Sequence, residues 1–270
     1  MALEPIRPLR RLRWKAGGGV DIGERLSPEE TPVAVVHDGS TTAVMMATPA
    51  DLEEFGVGFS LTEGIVDAVD AIRAREVVET PLGVEVRHWL AGDASARLAA
   101  RRRLIAGPTG CGLCGIESLA EAARPPARVD GAQMAIGAEQ LSAAMQSLAA
   151  AQRLGETTRA VHAAALWRDG AELIVREDVG RHNALDKLVG ACALGGIATH
   201  NAVLLLTSRV SVEMVQKAAV LGTPIVCAVS APTALAVRTA VAANITLVGV
   251  SRADGFEVFS GLERIHTDRA

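Results

Sequence analysis

The sequence predicts an α/β protein, with a layered α/β domain in its second half behind a smaller α+β region. Three observations predict it. From Asn183 to Val250, helical stretches alternate with short strands of nearly continuous apolar residues, the pattern of helices laid over a largely parallel sheet. The first half instead shows strand runs broken by turn residues, around one amphipathic helix. Between the halves, four glycines in Gly107 to Gly115, and then Pro125-Pro126, interrupt any regular period. These marks divide the chain into a basic arm (1–19), an α+β domain (20–130) and an α/β domain (131–270).

The arm carries Arg7, Arg10, Arg11, Arg13 and Lys15 against Glu4 alone. It reads as a solvated, flexible segment running into the Gly17-Gly18-Gly19 linker rather than as a partner-binding arm. Arg10-Arg11 is no export signal, because Leu12-Arg13-Trp14-Lys15 follows where an apolar stretch is required. Val33 to His37 and Thr41 to Ala47 read as strands around a turn at Asp38-Gly39. Thr48-Pro49-Ala50-Asp51 then opens a helix, with Thr48 as N-cap and Pro49 at its first position. Leu52, Phe55 and Phe59 give that helix its apolar face and Gly64 ends it. Val84 to Leu90 alternates as a strand, and Arg97 to Leu104 is a short basic helix.

In the second half, Leu141, Met145 and Leu148 mark a helix. Ala160 to Trp167 and Ala171 to Arg176 form a hairpin around Asp169-Gly170. Helices at Asn183 to Leu194, Val212 to Leu221 and Pro232 to Ala243 then alternate with strands at Ala202 to Thr207, Pro224 to Val229 and Ile245 to Val250.

Composition limits the function. The 270 residues are 49% hydrophobic with a mean hydropathy of +0.26, which excludes a disordered chain. No apolar run reaches the roughly 20 residues of a membrane span. A net charge of −4 and seven aromatic side chains, none of them Tyr, argue against a nucleic-acid binder. Four cysteines are too few for a disulfide scaffold, so the expected location is cytoplasmic.

In open α/β sheets, ligands bind beyond the carboxyl ends of the strands. Here those ends read Glu177 to Asn183, Thr207-Ser208-Arg209, Ser230 to Thr233 and Val250-Ser251-Arg252. Three of the four carry arginine: Arg181, Arg209 and Arg252. Arginine forks beside helix N-termini favour phosphate, so Arg181, His182, Ser208, Arg209 and Ser230 are candidate contacts to a phosphate-bearing ligand. Glu177, Asp178, Arg181, His182, Asp186 and Lys187 crowd six titratable groups into eleven residues, and His182 is a candidate general acid or ligand-holding residue.

Cys192 and Cys227 fall in an apolar helix and strand and read as inert core residues. Cys111 and Cys114 sit two residues apart in the glycine-rich loop. That spacing suits a thiol–disulfide couple, half of a zinc site, or a thiolate that stores sulfur as a persulfide. No second cysteine pair or close histidine pair completes a zinc site. A zinc deaminase would need His-x-Glu as well, and none of the six histidines has Glu two positions on.

Three segments resemble the formate dehydrogenase accessory sulfurtransferase (FdhD) family. They are Gly110 to Gly115, the string Glu177 to Lys187, and Ser208-Arg209-Val210-Ser211 with Glu213-Met214 and Lys217. Met46 to Pro49, Gly58-Phe59, Thr62 to Gly64 and Ser230 to Thr233 extend the match over essentially the whole chain after the arm. The resemblance implies a sulfur carrier, with a persulfide on Cys111 and Cys114 as second thiol. A cysteine desulfurase would load it. The sulfur would pass to the molybdenum or tungsten of a bis(molybdopterin guanine dinucleotide) cofactor, bound as substrate, before insertion into formate dehydrogenase. The family's guanine-dinucleotide contacts map onto Val250, Ser251, Arg252, Ala253, Asp254 and Gly255, with Phe common in the family where this chain has Val250. A homodimer and a second domain similar to the cytidine deaminase fold are implied too. The alternative is a non-catalytic cofactor-binding chaperone with a structural or redox Cys-x-x-Cys.

Overall fold

The computed structural model describes residues 4–105, 125–130 and 134–267, with backbone only for 100–105. A two-stranded antiparallel ribbon comes first, β1 (Ile6–Trp14) and β2 (Val20–Pro28), in register from Ile6 opposite Pro28 to Trp14 opposite Val20. The expected flexible arm is therefore a strand. Residues 6–14 of it all pair with β2 across the Gly17-Gly18-Gly19 turn, whose glycines all take positive φ.

The N-terminal sheet has four strands: β3 (Thr31–His37), β4 (Ser40–Ala47), β5 (Ile72–Thr80) and β6 (Gly83–Leu90), in the order β4-β3-β6-β5. The expected turn joins β3 and β4, with Asp38 at φ 51° and Gly39 at φ 75°, the left-handed pair of a tight hairpin. Strand β5 was not expected, because apart from Ile72 its side chains are exposed or half-buried.

Helix α1 (Leu52–Thr62) buries Phe55 and Phe59 against the sheet residues Val33, Val35 and Val86. It starts later than its sequence implies. Asp51 precedes it at φ 54°, and Thr48, the expected N-cap, is used elsewhere. Gly64, at φ 65°, follows its end as expected. Helix α2 (Gly92–Ile105) contains the expected basic helix.

The second half is built in three layers. Its six-stranded sheet contains β8 (His162–Trp167), β9 (Ile174–Asp178), β10 (Val203–Leu206), β11 (Ile225–Ala228), β12 (Thr246–Arg252) and β13 (Gly255–Ser260). The order is β13-β12-β11-β10-β8-β9. Helices α5 (Arg181–Leu194), α6 (Val212–Leu221) and α7 (Ala234–Ala242) cover one face, packing on Leu166, Leu204, Leu206, Val226 and Leu247. The alternate residues Ala163, Ala165, Val203, Leu205, Ile225 and Cys227 face α3 (Ala138–Ala151) through Leu141, Met145 and Leu148. A short helix, α4 (Arg153–Thr158), follows, and β7 (Ile136–Gly137) pairs with β14 (Ile265–His266).

The expected elements are present, but the sheet is mixed rather than largely parallel. Only β10, β11 and β12 run parallel, and the β8–β9 hairpin and β13 flank them antiparallel. Four apolar residues in a row fit a buried strand of either direction, so composition could not separate the two.

Helix α5 is buried along ten consecutive residues, Asn183 to Cys192, because α1 covers the side turned away from the sheet. Two glycines permit that contact. A Cβ on Gly58 would lie 1.7 Å from the Asp186 carbonyl oxygen, and one on Gly190 would lie 1.9 Å from that of Glu54. Each helix thus contributes a glycine where the other's backbone passes. Gly58→Ala is expected to cost about 3 kcal/mol, read as a lowered urea midpoint, because neither backbone can yield alone. Unchanged stability would mean that the two helices do not meet this closely.

Candidate functional site

Most of the titratable string at the end of β9 is scaffold. The Asp178 carboxylate is fully buried and accepts four bonds. Its Oδ1 takes the Gly180 N–H at 2.8 Å and the Asn183 amide at 2.9 Å. Its Oδ2 takes the Thr48 N–H at 2.9 Å and the Lys187 ammonium at 2.7 Å. Lys187, equally buried, also donates to the Thr48 carbonyl at 2.9 Å. Thr48 Oγ1 accepts the Val179 N–H at 3.1 Å, and Asn183 donates to the Met46 carbonyl at 2.8 Å. The chain around Met46 to Thr48 is thereby tied to the loop that opens α5.

Glu177 caps α4 by accepting the N–H groups of Leu154 and Gly155, each at 2.8 Å. Asp186 belongs to a second knot. It accepts from Thr62 at 2.7 Å and from Lys217 at 2.9 and 3.0 Å, while Lys217 also reaches Glu63 at 2.9 Å. Burial works against the Lys217 charge, but Asp186 and Glu63 more than offset it and hold its pKa above the usual lysine value. These residues account for four of the six candidate groups in the string, leaving Arg181 and His182.

Arg181 and His182 form the first turn of α5, at the carboxyl edge of the sheet. Three other segments meet along that edge through the backbone. Val210 and Pro232 form a parallel bridge, Thr233 N–H reaches the Val210 carbonyl at 3.0 Å, and Val250 N–H reaches the Ser230 carbonyl at 3.3 Å. The loops after β10, β11 and β12 are thus one continuous rim. Arg209 and Arg252 are exposed on it, and Arg181 is half-buried. Among the described residues, none of these three arginines has an ion-pair partner. Arg181 Nε and His182 Nε2 are buried without a hydrogen-bond partner there. Burial, then the Arg181 and Lys217 charges, push the His182 pKa down to about 4. An unpaired guanidinium and an imidazole held neutral by burial and by neighbouring cations are what an incoming phosphate would satisfy.

Other expected contacts are placed differently. Ser251 is buried, and its hydroxyl is engaged with the Cys227 thiol. Ser208 is buried and bonds the Arg209 carbonyl at 3.1 Å. Both side chains are committed to the protein. Ala253, Asp254 and Gly255 are exposed at the turn between β12 and β13. Val250 takes φ 52°, a left-handed conformation that is strained for a β-branched residue. Cys192 and Cys227 are core residues as expected, and burial pushes their pKa values up to about 11 and about 12. Cys111 and Cys114 lie outside the described residues.

One polar cluster gave no signal in the sequence. Ser60 Oγ donates to the Gly56 carbonyl at 2.7 Å, so it accepts from His37 Nε2 at 2.8 Å and His88 Nδ1 at 3.1 Å. All three side chains are buried. Their positions are far apart in sequence, and only the pairing of β3 with β6 beneath α1 unites them. The cluster locks the inner face of the N-terminal sheet and lies away from the rim.

The FdhD/NarQ family model matches residues 28–266. A sulfur carrier protein FdhD of Agrobacterium fabrum is 52% identical over 245 residues, covering 90% of each chain. One of Brucella abortus is 49% identical over 248 residues, covering 92% of each. The crystal structure of a putative formate dehydrogenase accessory protein from Desulfotalea psychrophila superposes with a TM-score of 0.74 at 27% identity, covering 97% of this chain and all of that one.

Two stability measurements check the buried groups. Lys187→Met leaves the Asp178 charge buried and unpaired, and should lower unfolding stability by about 3–5 kcal/mol; a loss within the scatter of surface variants would contradict the pairing. Burial, followed by the Arg75 charge, depresses the His88 pKa to about 4, so from pH 6.5 down to 4 the unfolded chain binds a proton that the folded chain refuses. The contribution is intact above pH 6.5 and is lost as pH falls toward 4, roughly 3 kcal/mol in all. Urea midpoints across that range should fall with pH, and His88→Asn should flatten the slope; parallel curves would rule the histidine out.

Proposed function

This chain belongs to the FdhD/NarQ family, and we propose that it is a sulfur carrier serving the maturation of formate dehydrogenase. Sulfur arrives from a cysteine desulfurase as a persulfide. The Cys111 thiolate attacks the donor's outer sulfur, so that a new S–S bond forms as the old one breaks, and the donor leaves as a thiolate. The exchange needs no outside oxidant. The Cys114 thiolate then attacks the inner sulfur on Cys111, so that the outer sulfur leaves as sulfide to the metal of a bis(molybdopterin guanine dinucleotide) cofactor, held as substrate. A Cys111–Cys114 disulfide closes in that step and a dithiol reductant later reopens it; the cofactor then enters the client enzyme. The protein acts as a homodimer in this reading.

Two strands of support converge. The names of the relatives speak of a sulfur carrier and of a formate dehydrogenase accessory protein. The observation that carries the reading to this chain is the rim, where Arg181, Arg209 and Arg252 lack ion-pair partners among the described residues and Arg181 Nε and His182 Nε2 are buried and unsatisfied. Phosphates of a dinucleotide supply the missing acceptors. The three-layer domain suits a cytidine-deaminase-like scaffold that has kept its shape without the deaminase shuttle, since His-x-Glu is absent from the sequence.

Intact-mass measurement after incubation with a cysteine desulfurase and cysteine tests the role of Cys111. The wild-type chain should gain sulfur. Cys111→Ala should keep its fold, gain none, and fail to restore activity to a formate dehydrogenase matured with it. A client that matures fully with Cys111→Ala would exclude the transfer role, and a wild-type chain that gains no sulfur would favour a chaperone that only carries the cofactor.

A further inference from the structure

Among the described residues, one apolar face of the β1–β2 ribbon is exposed from Pro8 to the tip and half-buried at its root, at Ile6 and Pro28. Residues opposite one another on paired strands point to the same side. At the centre of this face stands the pair Arg10 and Glu24. Toward the tip come Leu12 with Ile22, then Trp14 with Val20, all 61–68% exposed. Toward the root come Pro8 with Leu26, then Ile6 with Pro28. The opposite face is largely polar, carrying Arg7, Arg11, Arg13 and Arg25. A two-stranded ribbon is marginal on its own in water. Exposed apolar pairs on either side of one charged pair call for a cover.

The pattern along the strip says what covers it. Two apolar pairs, one Arg/Glu pair and two apolar pairs read the same from either end. A two-fold axis passing by the central pair lays apolar pairs on apolar pairs, whichever end leads, and gathers two arginines and two glutamates at the middle. The strip is therefore complementary to itself, the condition for an isologous contact. A lipid surface has no use for the central Glu24, and an unrelated partner no use for the symmetry. We propose that this face of the ribbon packs against the same face of a second copy of the chain, with Arg10 and Glu24 of each copy meeting the same pair of the other. The inference rests on the homodimer of the proposed function and assigns its surface.

Charge exchange on the full chain tests it, read by sedimentation velocity over a range of concentrations. Arg10→Glu places four carboxylates together and should raise the dimer dissociation constant at least about tenfold. Leu12→Asp should do the same. The double variant Arg10→Glu with Glu24→Arg restores two charges of each sign and should return the constant to within about threefold of wild type. Far-UV circular dichroism and a thermal melt establish that each variant is folded. A dimer indifferent to Arg10→Glu overturns the ribbon surface and leaves the homodimer standing; a wild-type chain that is monomeric throughout overturns both. Failure of the double variant to recover, in a folded protein, also overturns the pairing.

Discussion

The rest of the molecule depends on the buried contact between Asp178 and Lys187. Taking two charges fully out of water is costly unless every lone pair and proton is matched. Here the matching groups come from both halves of the chain: Thr48 supplies an N–H and a carbonyl from the first, and Gly180 and Asn183 supply donors from the second. The pair cannot be satisfied unless the end of β4, the end of β9 and the first turns of α5 are all in place. Lys217 and Asp186, the residue beside Lys187 on α5, repeat the arrangement with Thr62 and Glu63 from the end of α1. The glycine crossing of α1 and α5 lies between these two knots, so close backbone approach and charge pairing enforce each other.

That division of labour explains the rim. Three acidic groups near it are occupied, since Asp178 and Asp186 hold lysines and Glu177 caps a helix, while Glu213 and the exposed Asp254 stand beside the three arginines. What remains at the carboxyl edge is an excess of positive charge on rigid supports. Arg181 and His182 ride on a helix whose start is fixed by Asp178, so their positions follow from the same knot that joins the halves. A protein of net charge −4 can in this way present a cationic edge, because its overall charge says little about where the charges are left free.

The α/β layering, the helix and strand positions in the second half, the β3–β4 turn and the inert Cys192 and Cys227 were all legible, because each rests on local periodicity or turn chemistry. So was the rim as a set of strand ends. The losses have physical causes. Thr48 looks like an N-cap from its neighbours, yet it is claimed by Asp178 and Lys187, more than a hundred residues away. The acidic and basic residues of the Glu177 to Lys187 string look catalytic by density, and only contacts separate the pairs that hold the fold from Arg181 and His182, whose buried Nε and Nε2 find no partner among the described residues. The basic arm, exposed as expected, looked unstructured because alternation in one strand has no meaning until its partner strand is known. Once β2 lies beside β1, the alternate Ile6, Pro8, Leu12 and Trp14 become one face.

Val250 shows how the rim is aimed. On β12, Gly249 lies opposite Glu257 and Arg252 opposite Gly255, three steps on one strand against two on the other, which is a bulge of one residue. Strict alternation would turn Val250 toward the side of Val248 and Cys227; the extra residue shifts the parity, and Ser251 meets Cys227 instead. Arg252 is then free to project at the edge. A left-handed Val250 costs on the order of 1–3 kcal/mol, and Gly249, where a Cβ would come within 2.9 Å of Pro232, leaves no slack to relax it. The strained residue is therefore where the strand changes from a packed core element into a presenter of charge. Packing alone gives no reason to keep it, whereas the placement of Arg252 beside the other strand ends does.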